Sequence, residues 1–137
     1  MRRPEQALHL AVAAYLRVAL RPPTYWTTID HGAGKMTKAA AGLRKQRGVQ
    51  AGIADLLVVH PMGLTYSDGA LVVWIELKAG RGDQSIPQVA FEKQMWACGC
   101  QYYVARSVDE VEAVLRQMGI PLHATVTGRG NVWRTAA

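Results

Sequence analysis

The residues Ala70–Lys78, ALVVWIELK, constrain the fold more than any other part of the chain. They form a continuous apolar run of strand-forming residues, yet Glu76 and Lys78 interrupt it one residue apart. Residues two apart in a strand project to the same face. Glu76 and Lys78 therefore point together, and Ile75 and Leu77 point to the other side. Such a pair can simply neutralise itself on a solvated sheet edge. The unbroken apolar flank argues against an edge. It predicts an interior strand that delivers a carboxylate and an ammonium to one spot.

The rest of the chain supplies a sheet for this strand. Leu8, Val12, Tyr15, Leu16 and Ala19 recur at helical spacing, predicting a helix over 5–20 that Pro22-Pro23 stops. TYWTTI (24–29) reads as a strand and HGAGK (31–35) as a turn. Residues 36–46 suit a short basic helix closed by Gly48. IADLLVVH (53–60) is a second strand, joined to the ALVVWIELK strand (70–78) by the turn PMGLTYSDG. Ser85 caps a helix that tolerates Pro87 in its first turn and runs to Cys98. QYYVAR (101–106) is a further strand. Ser107-Val108-Asp109-Glu110 reads as a capping box opening a helix to about Gly119. The tail suits a short hairpin around Gly128-Arg129-Gly130. The order is α/β: a mixed sheet flanked by helices.

At 137 residues and 50% hydrophobic, the chain fits one domain over 1–137 with its own core. No apolar run is long enough to cross a bilayer. The basic, apolar start is interrupted by Glu5, Gln6, His9 and Arg17, so it reads as an amphipathic helix of a cytoplasmic protein rather than a leader. Cys98 and Cys100, with only Gly99 between them, read as reduced thiols. The formal charge is +6, which suits a polyanionic partner. The charge is uneven: between Asp30 and Asp55 there is no acidic residue, while Lys35, Lys38, Arg44, Lys45 and Arg47 all fall there. That stretch is either a solvated basic helix or a phosphate-contacting surface.

The chemistry follows from where the carboxylates fall. The strand before Glu76 begins with a single acid, Asp55, three residues after Gly52. If the two strands are neighbours, Asp55 and Glu76 converge. Two carboxylates, a backbone carbonyl such as that of Leu77, waters and a phosphate oxygen make a natural Mg²⁺ or Mn²⁺ site. Such an ion polarises a phosphoryl oxygen and acidifies water, and Lys78 is placed to serve that water or the transition state. No His/Cys set suits zinc, and no Ser-His-Asp arrangement is evident.

Gly-x-x-Asp, then E-x-K on the next strand, then a glutamine opening a helix, then the QYYVAR strand and its S-x-D-E helix, resemble the VRR-NUC (virus-type replication-repair nuclease) domain of the PD-(D/E)xK superfamily. The resemblance runs from about Gly48 to Leu115, and from Glu5 if the first helix is included. It implies a restriction-endonuclease-like fold and a metal-dependent DNA endonuclease, similar to the small stand-alone versions of phages and prophages. It implies that Asp55 and Glu76 hold the metal, that Lys78 is the catalytic lysine, and that Gln88 sits near the metal or the scissile phosphate. Glu5 matches the acidic residue of the first helix. Ala54 stands where the family has proline, which puts the local turn geometry in question. By analogy the substrate is branched DNA, a four-way junction or a flap. Symmetric cutting of a junction suggests a homodimer.

Three rivals stay open: a non-catalytic DNA-binding module on the same fold, a nuclease directed at RNA or foreign DNA, and a basic α/β protein with a structural Glu76–Lys78 pair, in which Asp55 and Glu76 would lie far apart. Arg81, beside the E-x-K strand, joins the basic residues as a DNA-backbone candidate. His31 with Gly32-Ala33-Gly34-Lys35 lacks the Walker spacing, so no nucleotide site is read there, and the segment stays open as a DNA-contacting loop. His9, His60 and His123 read as core or surface residues, Asp83 and Glu92 as solvated charges. Trp26, Trp74 and Trp96 read as core. Trp133 either packs home or stacks on a base.

Overall fold

The computed structural model describes residues 3–32, 36–127 and 132–135. A central sheet has strand order β1-β2-β3-β4, formed by β1 (Tyr25–Thr28), β2 (Leu56–Pro61), β3 (Ala70–Leu77) and β4 (Gln101–Ala105). β2 runs antiparallel to both β1 and β3, and β4 is parallel to β3. The helices are α1 (Arg3–Ala19), α2 (Lys38–Gln46), α3 (Ile86–Ala97) and α4 (Val108–Gln117). The expected mixed sheet with flanking helices is what the chain forms.

The period-2 pattern of β3 sorts its side chains as predicted. Val73, Ile75 and Leu77 are buried in the main core with Leu56 and Val58 of β2. α1 contributes Val12, Tyr15, Leu16 and Ala19 to that core, and α4 contributes Val108, Val111 and Leu115. Each fully buried aliphatic side chain there is worth about 1.5–3 kcal/mol. The opposite face is covered more thinly. Phe91 of α3 meets Trp74 edge-on at 5.2 Å and Tyr102 at 6.0 Å, yet α3 has no fully buried residue. Glu76 lies on this second face, where a polar group can be reached from outside.

Local signals set the element ends, with some corrections. Ser85 and Gln88 form a complete capping box on α3: the Gln88 N–H donates to Ser85 Oγ at 3.3 Å, and the Ser85 N–H to Gln88 Oε1 at 2.8 Å. On α4 only half of the expected box forms. Ser107 Oγ accepts from the Glu110 N–H, but the Glu110 carboxylate takes the N–H of Arg106, one residue earlier than a box requires. Trp96 is not core: it is 43% exposed, lies edge-on against Tyr103 and donates to Glu92. Glu92 is accordingly not a free charge, since Gln84 also donates to it at 3.0 Å. β3 ends at Leu77, and the Lys78 N–H still donates to Ala105 O at 3.1 Å.

The tail pairs β5 (Ala124–Val126) with β6 (Trp133–Thr135) in antiparallel register. The Gly128-Arg129-Gly130 turn between them lies outside the described residues. Trp133 packs edge-on against Tyr15 at 5.6 Å, so it is home in the core rim rather than free to stack on a base.

Candidate active site

The register of β2 against β3 decides the site. Leu56 pairs with Ile75, so the residue before Leu56 falls opposite the residue after Ile75: Asp55 faces Glu76. The Leu77 N–H donates to Asp55 Oδ2 at 2.8 Å, and Asp55 O accepts from the Ile29 N–H at 2.8 Å. The aspartate is thereby held at both its side chain and its backbone.

Gln88 arrives from the first turn of α3. Its Oε1 is used in the capping box, and its Nε2 donates to Glu76 Oε1 at 3.1 Å. One amide thus ties a helix terminus to a buried carboxyl. Gly52 makes this approach possible. Its φ is +84°, and a Cβ there would sit 2.2 Å from Pro87 O and 2.9 Å from Gln88 N. The Gly52 turn and the α3 N-terminus meet backbone to backbone, which only glycine permits. The Gly-x-x-Asp spacing therefore joins a docking point and a carboxylate three residues later.

Glu5, His9, Asp55, Glu76, Leu77, Lys78 and Gln88 line one cleft of about 200 Å³. It brings together all five positions expected to be catalytic, Glu5, Asp55, Glu76, Lys78 and Gln88, with Glu5 entering from α1. The basic candidates are elsewhere. Lys38, Lys45 and Arg47 are exposed around α2, Arg44 is half-buried, and Arg81 is exposed in the loop after β3. Lys35 lies outside the described residues.

Sequence reasoning missed two histidines. His9 lines the cleft, with its Nε2 3.3 Å from Thr28 Oγ1. The i, i+4 spacing from Glu5 was the signal that could have found it. His31 Nε2 lies 3.5 Å from Asp55 Oδ1. Asp55 holds its pKa above the ordinary histidine value. No local pattern announces this contact, because residues 31 and 55 are brought together by the pairing of β1 with β2.

The electrostatics of the pair are opposed. Glu76 is 3% exposed, and its carboxyl is pushed up to about 9, first by burial and then by the charge of Asp55. Burial also acts to raise Asp55, but the hydrogen bonds from His31 and the Leu77 N–H hold it below the ordinary value. Lys78 lowers Glu76 without offsetting these effects. Glu76 Oε2 is buried and has no hydrogen-bond partner. A buried oxygen beside a second carboxylate is what a bound cation would satisfy. Among the described residues no three His, Cys, Asp or Glu side chains group as metal ligands. Two carboxylates with room for carbonyl, water and substrate oxygens fit Mg²⁺ or Mn²⁺ better than a closed zinc site.

No protein-family model matches the chain, and no curated protein does. Among solved structures, a VRR_NUC domain protein superposes with a TM-score of 0.54 over 85% of this chain and 88% of that one, at 20% identity. No described helix is long and apolar enough to cross a membrane.

Proposed function

We propose, with the fold shared with a VRR-NUC domain as the premise, that this chain is a metal-dependent endonuclease that hydrolyses DNA phosphodiester bonds. The observation that carries the reading is the Asp55–Glu76 pair: two facing carboxyls, one with a buried, unpartnered oxygen, in a cleft shared with Lys78 and Gln88. Neither burial nor fold stability calls for that arrangement.

Asp55 and Glu76, with the carbonyl of Leu77, would hold Mg²⁺ or Mn²⁺. When bound, the ion supplies Lewis-acid polarisation of the phosphoryl oxygen and a more acidic water. Lys78 orients the attacking water and offsets negative charge as it grows on the phosphoryl group. Gln88 keeps Glu76 in place through its Nε2. Glu5 faces the same cleft and is placed to order water at its mouth. The water oxygen bonds to phosphorus as the bond from phosphorus to one sugar oxygen breaks; the water's proton passes to solvent, and the leaving oxygen takes one up from solvent. The substrate class we propose is branched DNA, cut by a homodimer in phage or prophage replication, recombination or repair. The support for that finer reading is the motif resemblance and the two-fold character of a junction.

Labelled four-way junction, flap and linear duplex, incubated with Mg²⁺ or Mn²⁺, test this directly. The expected result is metal-dependent cutting by the wild type and none by Asp55→Asn or Lys78→Ala. Intact DNA in every lane, with tight salt-sensitive binding, would leave a binding module in place of the enzyme.

A further inference from the structure

α2 and its flanks stand apart from the rest of the molecule. None of the residues of α2 is buried, although they form nine residues of helix. Its hydrogen bonds are internal: Thr37 caps its start through the Ala40 N–H, and the Arg47 N–H returns to Leu43 O. A helix of this length is marginal in water without a packed face, and Gly42 in its middle weakens it further. The only charged side chains on it are cationic. Lys38 and Lys45 are seven residues apart and share one face, and Arg47 follows at the C-cap. The Arg44 guanidinium folds back over Gly32, within 3.4 Å of where a Cβ on that glycine would lie.

Both roots of this arm are at the cleft. On the leading side, the Ile29 N–H and His31 meet Asp55. On the trailing side, Gly52 is pressed against Pro87 and Gln88. A charged, unpacked helix held at both ends beside the candidate catalytic carboxylates is placed to grip what the cleft acts on.

We infer that residues 36–50 form a DNA-binding arm whose helix is completed by the phosphate backbone of duplex DNA, with Lys38, Lys45 and Arg47 as its contacts. The inference deepens the nuclease reading and rests on it for the identity of the partner. The arm supplies sequence-independent affinity, because phosphate neutralisation releases counterions regardless of base sequence.

The test uses the full chain in EDTA, so that binding is read without cleavage. Fluorescence anisotropy on a labelled duplex is measured against salt for the wild type, for Lys38→Gln/Lys45→Gln/Arg47→Gln, and for a control, Arg17→Gln/Arg21→Gln/Lys93→Gln, that removes the same charge from exposed positions elsewhere. Loss of three phosphate contacts lowers the slope of log K against log salt by about 2–3 and weakens binding about 10- to 100-fold near physiological salt. The control changes both far less. Hydrogen exchange of the wild type should show the amides of 40–47 exchanging quickly in the free chain and becoming protected on the duplex. An arm variant with wild-type slope and affinity overturns the inference, as does an equal loss in the control or unchanged exchange in the arm. Arm-dependent binding by a chain that cuts no DNA with any metal keeps the arm and removes the nuclease reading. Metal-dependent cutting with binding indifferent to the arm does the reverse.

Discussion

Replacing Glu76 by glutamine should make the metal-free protein more stable, and only at neutral and alkaline pH. The folded chain holds the Glu76 proton up to about 9, against 4.5 for an ordinary glutamate. A carboxyl raised in the folded state contributes stability that is fully present below 4.5 and is lost as pH rises through 9. At about pH 8 the penalty is on the order of 5 kcal/mol, from roughly three and a half pH units at 1.36 kcal/mol each. Asp55 works in the opposite sense, since its value is lowered. Its contribution is present above 3.8 and fails as pH falls through the folded value, outside this window. Glutamine keeps the shape: its Oε1 still accepts from Gln88 Nε2, and its own N–H₂ replaces the unpartnered Oε2. The buried amide retains some desolvation cost, so about 2–4 kcal/mol of the penalty should be recovered. For a chain of this size that corresponds to about 6–12 °C in Tm. Urea denaturation in EDTA at about pH 5 and about pH 8 measures it, with the gap between variant and wild type closing at the lower pH. A variant no more stable than wild type at the higher pH, or a gap that ignores pH, refutes the argument that burial and Asp55 hold Glu76 neutral.

Three further outcomes follow from the same geometry. Mg²⁺ should raise the Tm of the wild type and leave Glu76→Gln and Asp55→Asn nearly unmoved, by linkage of binding to folding; a scanning-fluorimetry titration reads it. Gly52→Ala forces a Cβ to 2.2 Å from Pro87 O at a φ of +84°, so it should cost about 2 kcal/mol or more and displace Gln88 from Glu76. Chemical denaturation beside a cleavage assay should show both losses. Tyr15→Phe strands the Ala124 carbonyl that now accepts from the Tyr15 hydroxyl at 2.8 Å, and should cost about 1–2 kcal/mol, detectable by urea midpoint with no loss of DNA cutting.

Much of the site was legible because its cues are local. The alternation of β3 told which face Glu76 takes, and the Ser85 cap with Pro87 told where α3 begins and that Gln88 sits in its first turn. Other cues misled where a neighbour intervened. Glu110 had the spacing of a capping box but bonds one residue further back, at Arg106. Trp96 had the character of a core residue but lies on a helix that covers its sheet face thinly.

The sequence by itself determined the element order, the two sides of each strand and the residue types that reach the cleft. These depend on backbone propensity and side-chain period, which act over a few residues. Tertiary structure alone decided that Asp55 meets Glu76, that His9 and His31 join them, and that Gln88 closes on Glu76 over Gly52. Those contacts depend on the register of β2 against β3 and on a backbone approach between segments 35 residues apart, as the positions of Gly52 and Pro87 show. Placing one carboxylate beside another that is buried is unfavourable for the chain alone. No local preference of either segment would select it, and only the packing of the whole sheet holds it there.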